Sequence, residues 1–531
     1  VISGTFAQNT SEYTMARELN QTVTWNGDKS ENTVVNIQYS TAGHKNVRLN
    51  YFCLQMLRTL KLYDAYTLFR NISSIGNTSR FVIQNATSGL LVFDVTDAVN
   101  PKLMETSLSG TDLSFSIPAS STLREFAVVD PLKLSAPEVV GDVTNQNLHA
   151  MTQQDMIILA QSAFAEQAER LAKIHRSHDN LSVQVVQPEK IYNEFSSGTP
   201  DASAIRRFMK MLYDRKSSDS DAPKYLLLLG DGSFDNRQLT TNWKQIDMTN
   251  MLLTYQTQES LNDTSFVTDD YFGYLDDAND AKSFDRKDVN IGIGRFPVRT
   301  LGEATTAVDK VISYINNTQY GAWKNNLCFL ADDGNSVDGF NQIHEKQADD
   351  LAQYLETNYP EFLINKLYFD SFKKDFTGGT TTYPDVTTSL LKSLKDGLML
   401  VNYTGHGNTQ ALSDEKVIKQ SDIAQYTYTR LPLWITATCD FTRFDDLNTS
   451  AGEDVFLSTR SGGIALFTTA RLAYSESNFD INELLIEKLF TKNNGRRLTL
   501  GDVIKKTKCE LSTVRKLGFC LIGDPALKLV Y

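Results

Sequence analysis

Leu398-Met399-Leu400-Val401-Asn402-Tyr403-Thr404-Gly405-His406-Gly407 is an apolar run that stops at a glycine turn carrying one histidine. Leu433-Trp434-Ile435-Thr436-Ala437-Thr438-Cys439-Asp440 repeats the arrangement with a cysteine. Short, continuous apolar runs of this kind read as strands buried on both faces, as in a parallel sheet covered by helices. If the two strands are neighbours, His406 and Cys439 leave the sheet at one edge. Adjacent strands lie about 4.8 Å apart, so both side chains can face one reacting carbonyl.

The same alternation extends backwards to Asp155. Strands are expected at Met156–Leu159, Val183–Val186, Tyr225–Leu229, Asn290–Ile293, Leu327–Leu330 and Gly463–Phe467. Helices are expected at Phe164–His175, Ala202–Tyr213, Glu303–Ile315, His344–Leu355, Ile481–Leu489 and Val503–Val514. Repeated β–α units place ligands beyond the carboxyl ends of the strands, where His406, Cys439 and Asp231 all stand. Residues before about 135 read differently. Ser30–Tyr39, Phe81–Ile83, Gly89–Phe93 and Phe115–Ile117 are short strands between Asn/Ser/Thr/Gly turns, an all-β, sandwich-like pattern. Tyr51–Tyr66 is ambiguous, and Ala136–Asn147 reads as a linker around Pro137. Three parts follow: 1–150 as a β-rich domain with its linker, then 151–322 and 323–531 as two α/β subdomains.

A chain of 531 residues is too long for one core. Its 41% apolar and 22% charged residues are an ordinary globular balance. A net charge of −12 argues against nucleic acid or an anionic membrane surface as the main partner. No run of apolar residues is long enough to cross a bilayer. The chain opens on Val1-Ile2-Ser3-Gly4 and closes on an expected strand, Leu527–Tyr531, and both ends look like cut points in a longer precursor. Its cysteines, Cys53, Cys328, Cys439, Cys509 and Cys520, have no zinc spacing and are too few for a disulfide scaffold. Four of them sit in apolar or helical contexts and read as core thiols. Cys439 differs, because its strand runs out into Asp440-Phe441-Thr442-Arg443-Phe444-Asp445-Asp446.

A thiolate attacks carbonyls with less base assistance than a serine needs. It still requires a proton donor for the leaving amine, which His406 can be. It also requires donors for the oxyanion, which the backbone N–H groups of Gly407 and Cys439 can be. Glycine at 407 lets a substrate carbonyl come close to the backbone. The alternative is a core thiol and a turn histidine that happen to end strands. Gly292-Ile293-Gly294 is a strand rather than a dinucleotide loop, because Pro297 follows. Asp231-Gly232-Ser233-Phe234-Asp235 resembles a calcium loop, but Asn242 stands where an EF-hand needs Glu. The acidic stretch Asp269–Asp288 offers Asp276, Asp277, Asp280 and Asp285 to a structural Ca²⁺, although a solvated loop accounts for it as well. No cofactor is required by any of these motifs. His44, His149, His175, His178 and His344 show no metal-ligand spacing.

Several stretches together carry a resemblance. They are Tyr403–Gly407, Thr436–Phe441, Leu226–Asp235, Asp270–Phe272, Ile293–Pro297 and Gly523–Leu527, with Phe93–Asp97 and Gln146–His149 at the front. As a set they resemble the gingipain (C25) family of clan CD cysteine peptidases. The likeness is closest to the branch that acts as C-terminal signal peptidase and sortase in type IX secretion. The resemblance implies a caspase-like α/β fold, with Cys439 as nucleophile and His406 as its histidine. It also implies an acid after the Cys328 strand. Asp333 is the best match in Leu327-Cys328-Phe329-Leu330-Ala331-Asp332-Asp333-Gly334, with Asp332 next. Arginine-specific members carry an Asp in the primary specificity pocket, just ahead of the pair that is His344-Glu345 here. The matching position is near Asn341, and a neutral pocket loses the charge-paired grip on a basic residue.

The function so implied is removal of a C-terminal signal domain from secreted cargo and transfer of the cargo, through a thioester, to a lipopolysaccharide-linked amine. The setting would be the extracellular face of the outer membrane, with a shuttle β-barrel as partner. Two alternatives stay open: a secreted endopeptidase that simply hydrolyses peptides, and a surface binding module whose Cys–His pair is vestigial.

Overall fold

A computed structural model describes residues 18–24, 34–40, 49, 51–258, 263–334, 342–377, 379–493 and 495–530. The expected strand at Ser30–Tyr39 lies partly outside the described residues, and 34–40 carry no regular structure. Two compact units divide the chain, one of Thr24–Thr144 and one holding Asn145–Tyr531.

The first unit is a pair of antiparallel sheets. One has the order Tyr66–Arg70, Glu125–Val129, Leu91–Asp94, Lys102–Leu103; the other has Ser79–Ile83, Asp112–Ile117, Ser107–Ser109. Alternate residues of both sheets point into one core, where Phe69, Phe81, Phe115 and Phe126 meet. The Phe115 and Phe126 ring centroids lie 5.0 Å apart. Two sheets closing on a shared aromatic core form the expected sandwich.

The second unit is built on a ten-stranded sheet. Its strands in chain order are β1 (Met156–Ala160), β2 (Val183–Val186), β3 (Tyr225–Leu229), β4 (Gly292–Phe296), β5 (Asn326–Ala331), β6 (Leu363–Tyr368), β7 (Leu400–Thr404), β8 (Leu433–Ala437), β9 (Ala465–Thr469) and β10 (Phe519–Ile522). In space they run β6-β5-β7-β8-β9-β10-β4-β3-β1-β2. β3 shows why the runs are continuously apolar: Tyr225, Leu227 and Leu229 enter one core, while Leu226 and Leu228 enter the core on the other face. Helices Ala165–Ile174 and Leu301–Ile315 contribute to the first core, and Pro188–Phe195 and Ala202–Asp214 to the second. Among the described residues, no helix is long and apolar enough to cross a membrane.

One strand decides where the carboxyl ends point. β10 pairs antiparallel with β9 but parallel with β4. The half-sheet β1–β4 therefore runs opposite to β5–β9, and its carboxyl ends open at the other edge. This corrects the expectation that Asp231 shares an edge with His406 and Cys439. Asp231 is fully buried and ion-paired with Arg299 at 2.5 Å. The expected closing strand at Leu527–Tyr531 is also absent from its described part, 527–530. The carbonyls of Pro525 and Leu527 instead accept hydrogen bonds from the Gly501 and Leu500 N–H groups at the start of helix Leu500–Glu510. Those carbonyls satisfy helix donors that have no partner inside the helix.

Candidate active site

β7 and β8 are parallel neighbours, with Thr404 opposite Ala437. His406 and Cys439 each stand two residues beyond that pair, so the turns that carry them are level. β5 lies on the other side of β7, with Ala331 opposite Thr404. Asp332 and Asp333 thus leave the sheet beside His406. Strand order brings together three loops that are far apart in sequence.

The two turns fit closely. A Cβ added at Gly407 would lie 2.4 Å from Thr438 Oγ1. One added at Gly405 would lie 2.4 Å from Asp332 Cβ and 2.5 Å from the Tyr403 hydroxyl, and φ there is 157°. Only glycine admits those contacts. Asp440, directly after Cys439, holds a left-handed φ of 49°. A non-glycine residue in that region costs of order 1–3 kcal/mol and is held there by its surroundings.

The Cys439 thiol is partly buried and donates to the Ala473 carbonyl at 3.2 Å, while the Ala473 N–H approaches Sγ at 3.4 Å. Burial pushes its pKa above the ordinary thiol value; the Ala473 backbone and Arg515 pull the other way. His406 is tied by its peptide: its N–H donates to Asp332 Oδ2 at 2.8 Å, and its carbonyl accepts from the Tyr403 hydroxyl at 2.6 Å. The His344 ring meets the His406 ring edge to face, with centroids 5.2 Å apart.

Asp333 takes a different set of partners: its Oδ2 accepts from the Tyr383 hydroxyl at 2.8 Å and from the Lys374 ammonium. Asp332, Asp333 and Glu415 bring carboxylate oxygens within 4.8 Å of one another, so these residues can face one cation. Lys374 supplies positive charge there, at Asp333 and 3.8 Å from Glu415. Asn341, read as the pocket residue, lies outside the described residues. In the acidic stretch proposed for Ca²⁺, Asp277 pairs with Lys210 at 2.8 Å and Asp280 with Arg206 at 2.7 Å. Two of the supposed core thiols are not buried: Cys328 and Cys520 are, but Cys53 and Cys509 are exposed. Helical or apolar neighbours in sequence do not determine which face a residue takes.

The model of peptidase family C25 matches residues 149–530. The chain belongs to peptidase family C25. It is a C25 cysteine peptidase, and the caspase-like sheet is the family's fold. It is similar to the crystal structure of dimeric latent PorU from Porphyromonas gingivalis, with 29% identity and a TM-score of 0.56. That alignment covers 88% of this chain and 39% of the other, so the chain spans about two-fifths of PorU's length. It also aligns with the complex of the P. gingivalis RgpB pro- and mature domains, at 19% identity and a TM-score of 0.52, over 70% and 79% of the two chains. The Arg-specific cysteine proteinase gingipain R aligns at 19% identity and a TM-score of 0.52, over 72% of this chain and 80% of that one. At that identity the two RgpB structures speak to fold alone. No curated protein sequence matches the chain.

Sequence reading placed His344 beside the specificity pocket but not against His406, and it did not find Tyr383, Lys374, Glu415 or Ala473 at this edge. Each arrives from an element whose place depends on strand order, and no local motif marks it.

Proposed function

We propose that this C25 peptidase is a transpeptidase of the PorU type, with Cys439 and His406 as its reacting pair. The observation that carries the reading is the level emergence of both residues from adjacent parallel strands. The likeness to PorU across most of the chain supports the choice of substrate: a secreted cargo with a C-terminal signal domain, met at the cell surface beside an outer-membrane shuttle protein.

The chemistry follows from the groups present. Cys439 sits as a thiol, so its proton passes to the His406 imidazole as Sγ bonds to the carbonyl carbon of the scissile peptide. The Gly407 and Cys439 N–H groups receive the oxyanion. The C–N bond breaks, His406 returns the proton to the leaving amine, and a thioester joins Cys439 to the cargo. An amine on a lipopolysaccharide-linked sugar then attacks the thioester, loses a proton to His406, and frees the thiol. Water in place of the amine gives hydrolysis. Asp333, held by Lys374 and Tyr383, is the acid that the family resemblance assigns to the site, and a neutral Asn341 leaves the pocket without a carboxylate for a basic residue. The catalytic side chains all follow residue 323, which makes 151–322 the supporting subdomain of this reading.

The test is intact-mass spectrometry of a type IX cargo incubated with the full-length protein, with and without a small amine. Loss of the signal domain with a mass gain equal to the amine, absent with Cys439→Ala, is expected. Loss of the domain with only water added turns the reading to an endopeptidase. An unchanged cargo leaves a binding module.

A further inference from the structure

We propose that Arg515 is a positioning residue for the nucleophile: clamped over Tyr474 by Asp263, it presents a fixed positive charge to the Cys439 turn as the sulfur becomes a thiolate. The proposal rests on the reading of Cys439 as the nucleophile.

The reversed strand puts Arg515 there. β8 and β9 are parallel, with Ile435 opposite Phe467, so β9 leaves the sheet at the same edge as Cys439. β10 runs antiparallel to β9, with Phe519 opposite Thr469, so its entry lies where β9 exits. Strands β5–β9 bring their carboxyl ends to that edge, whereas β10 brings its amino end. The turn Val514–Gly518 leads into β10 and carries Arg515 to the catalytic edge.

Past β9 the chain returns to the nucleophile. The Asp440 N–H donates to the Arg471 carbonyl at 3.3 Å, and the Cys439 thiol meets the Ala473 peptide. Tyr474 follows directly. The Arg515 guanidinium carbon lies 4.2 Å from the Tyr474 ring centroid. Its Nη1 donates to the Asp263 carbonyl, and its Nη2 lies 3.4 Å from Asp263 Oδ2. That same Oδ2 accepts the Tyr474 hydroxyl at 2.5 Å. Three segments far apart in sequence converge on one guanidinium and hold it in place, and a planar guanidinium suits an aromatic face.

The Arg515 and Asp263 side chains are 15% and 31% exposed, so the charge sits where solvent screens it only in part. Burial of Cys439 opposes its thiolate most. Asp440 beside it opposes the thiolate too, and Arg515 favours it. Two other cations face Asp440: Arg471 is engaged by Asp445 through both terminal nitrogen–oxygen pairs, and Arg443 by Asp446 at 3.3 Å. His406 stands on the neighbouring strand turn. Arg515 is therefore the guanidinium whose field reaches the sulfur, reduced in part by Asp263. A positive charge beside a thiol raises its thiolate fraction near neutral pH.

The test separates charge from packing. Alkylation of Cys439 by iodoacetamide is followed from pH 5 to 10 in the full chain by peptide mass spectrometry, with exposed Cys53 as the internal reference. Arg515→Met keeps a long side chain against Tyr474 and drops the charge. The rise in rate should move up by about half a pH unit, and the rate at pH 7 should fall about threefold. Arg515→Lys restores the charge and should recover most of that loss. Asp263→Asn keeps the backbone carbonyl for Arg515 and an acceptor oxygen for Tyr474, and removes only the negative charge. It should move the rise the other way, to lower pH, by a similar amount. A merely structural strap would shift both variants in one direction. Shifts of the same sign in Arg515→Met and Asp263→Asn, wild-type profiles in both, or no recovery in Arg515→Lys overturn the proposal. Cleavage of a type IX cargo by Cys439→Ala at the wild-type rate instead overturns the reading of Cys439 as the nucleophile.

Discussion

Replacing Gly407 by alanine puts a methyl group where Thr438 already stands. The added Cβ would lie 2.4 Å from Thr438 Oγ1, 3.1 Å from its Cγ2 and 3.3 Å from its Cβ. Thr438 is fully buried, and turning its side chain exchanges one heavy atom for another at the same place. The two turns must therefore part by about 1 Å to reach ordinary contact. Overpacking of this size destabilises by about 1–3 kcal/mol. The functional effect should be larger, because the displacement separates His406 from Cys439, and about 1 Å there can cost on the order of 100-fold in turnover. The residue 407 N–H is retained, so the loss reports geometry and not a missing donor. Cargo cleavage and urea denaturation are measured for Gly407→Ala, Thr438→Ala and both together. Thr438→Ala removes Oγ1 and Cγ2, and the pair should recover most of the activity, with a coupling energy of about 1–2 kcal/mol. Wild-type turnover in Gly407→Ala, or no recovery in the double variant, refutes the claim that this contact sets the spacing of the pair.

Arg295→Met should cost about 3–5 kcal/mol by urea denaturation, because it strands the buried Asp269 carboxylate. Arg295 donates to Asp269 Oδ2 at 2.8 Å and Oδ1 at 2.6 Å, and it is 0% exposed. Buried His175 bridges Asp524 at 2.6 Å and Asp179 at 2.7 Å. Burial opposes its charge, yet Asp524 and Asp179 outweigh it and raise the pKa from 6.5 to about 10. The folded state then holds a proton that the unfolded chain releases. This stabilisation is complete below pH 6.5 and fades as the pH rises toward 10, at about 1.4 kcal/mol for each pH unit between the two pKa values. His175→Gln should lose that slope between pH 6.5 and 9.5 in chemical denaturation, and a parallel slope would count against the bridge. Brief maleimide labelling of the native protein should mark Cys53 and Cys509 and leave Cys328 and Cys520 untouched, checked by peptide mapping.

How far the chain could be read depended on whether a feature was local. The Tyr225–Leu229 strand was legible to the residue, because five apolar positions in a row admit few placements other than a strand covered on both faces. The His406 and Cys439 turns were legible for the same reason, each being the first polar break after such a run. Asp231 was misplaced because its edge depends on the direction of β10, a pairing between residues far apart in sequence. The closing strand failed because Leu527 and Pro525 give their carbonyls to a helix start that no pattern in 523–531 announces. Asp332 and Asp333 were both visible as candidate acids. Their division of labour, one at the His406 peptide and one at Lys374 and Tyr383, arises from neighbouring loops and could not be read from adjacent residues.

The central claim is that Cys439 is the nucleophile and His406 its partner. The most direct test is covalent capture with a peptidyl acyloxymethyl ketone whose peptide spans a cargo–signal junction, followed by intact-mass analysis and peptide mapping. The account predicts one adduct, on Cys439, which disappears in Cys439→Ala and forms at least tenfold more slowly in His406→Ala, as expected for loss of acid–base assistance. An adduct that persists in Cys439→Ala, or one spread over Cys53 and Cys509 at equal rates, would contradict it.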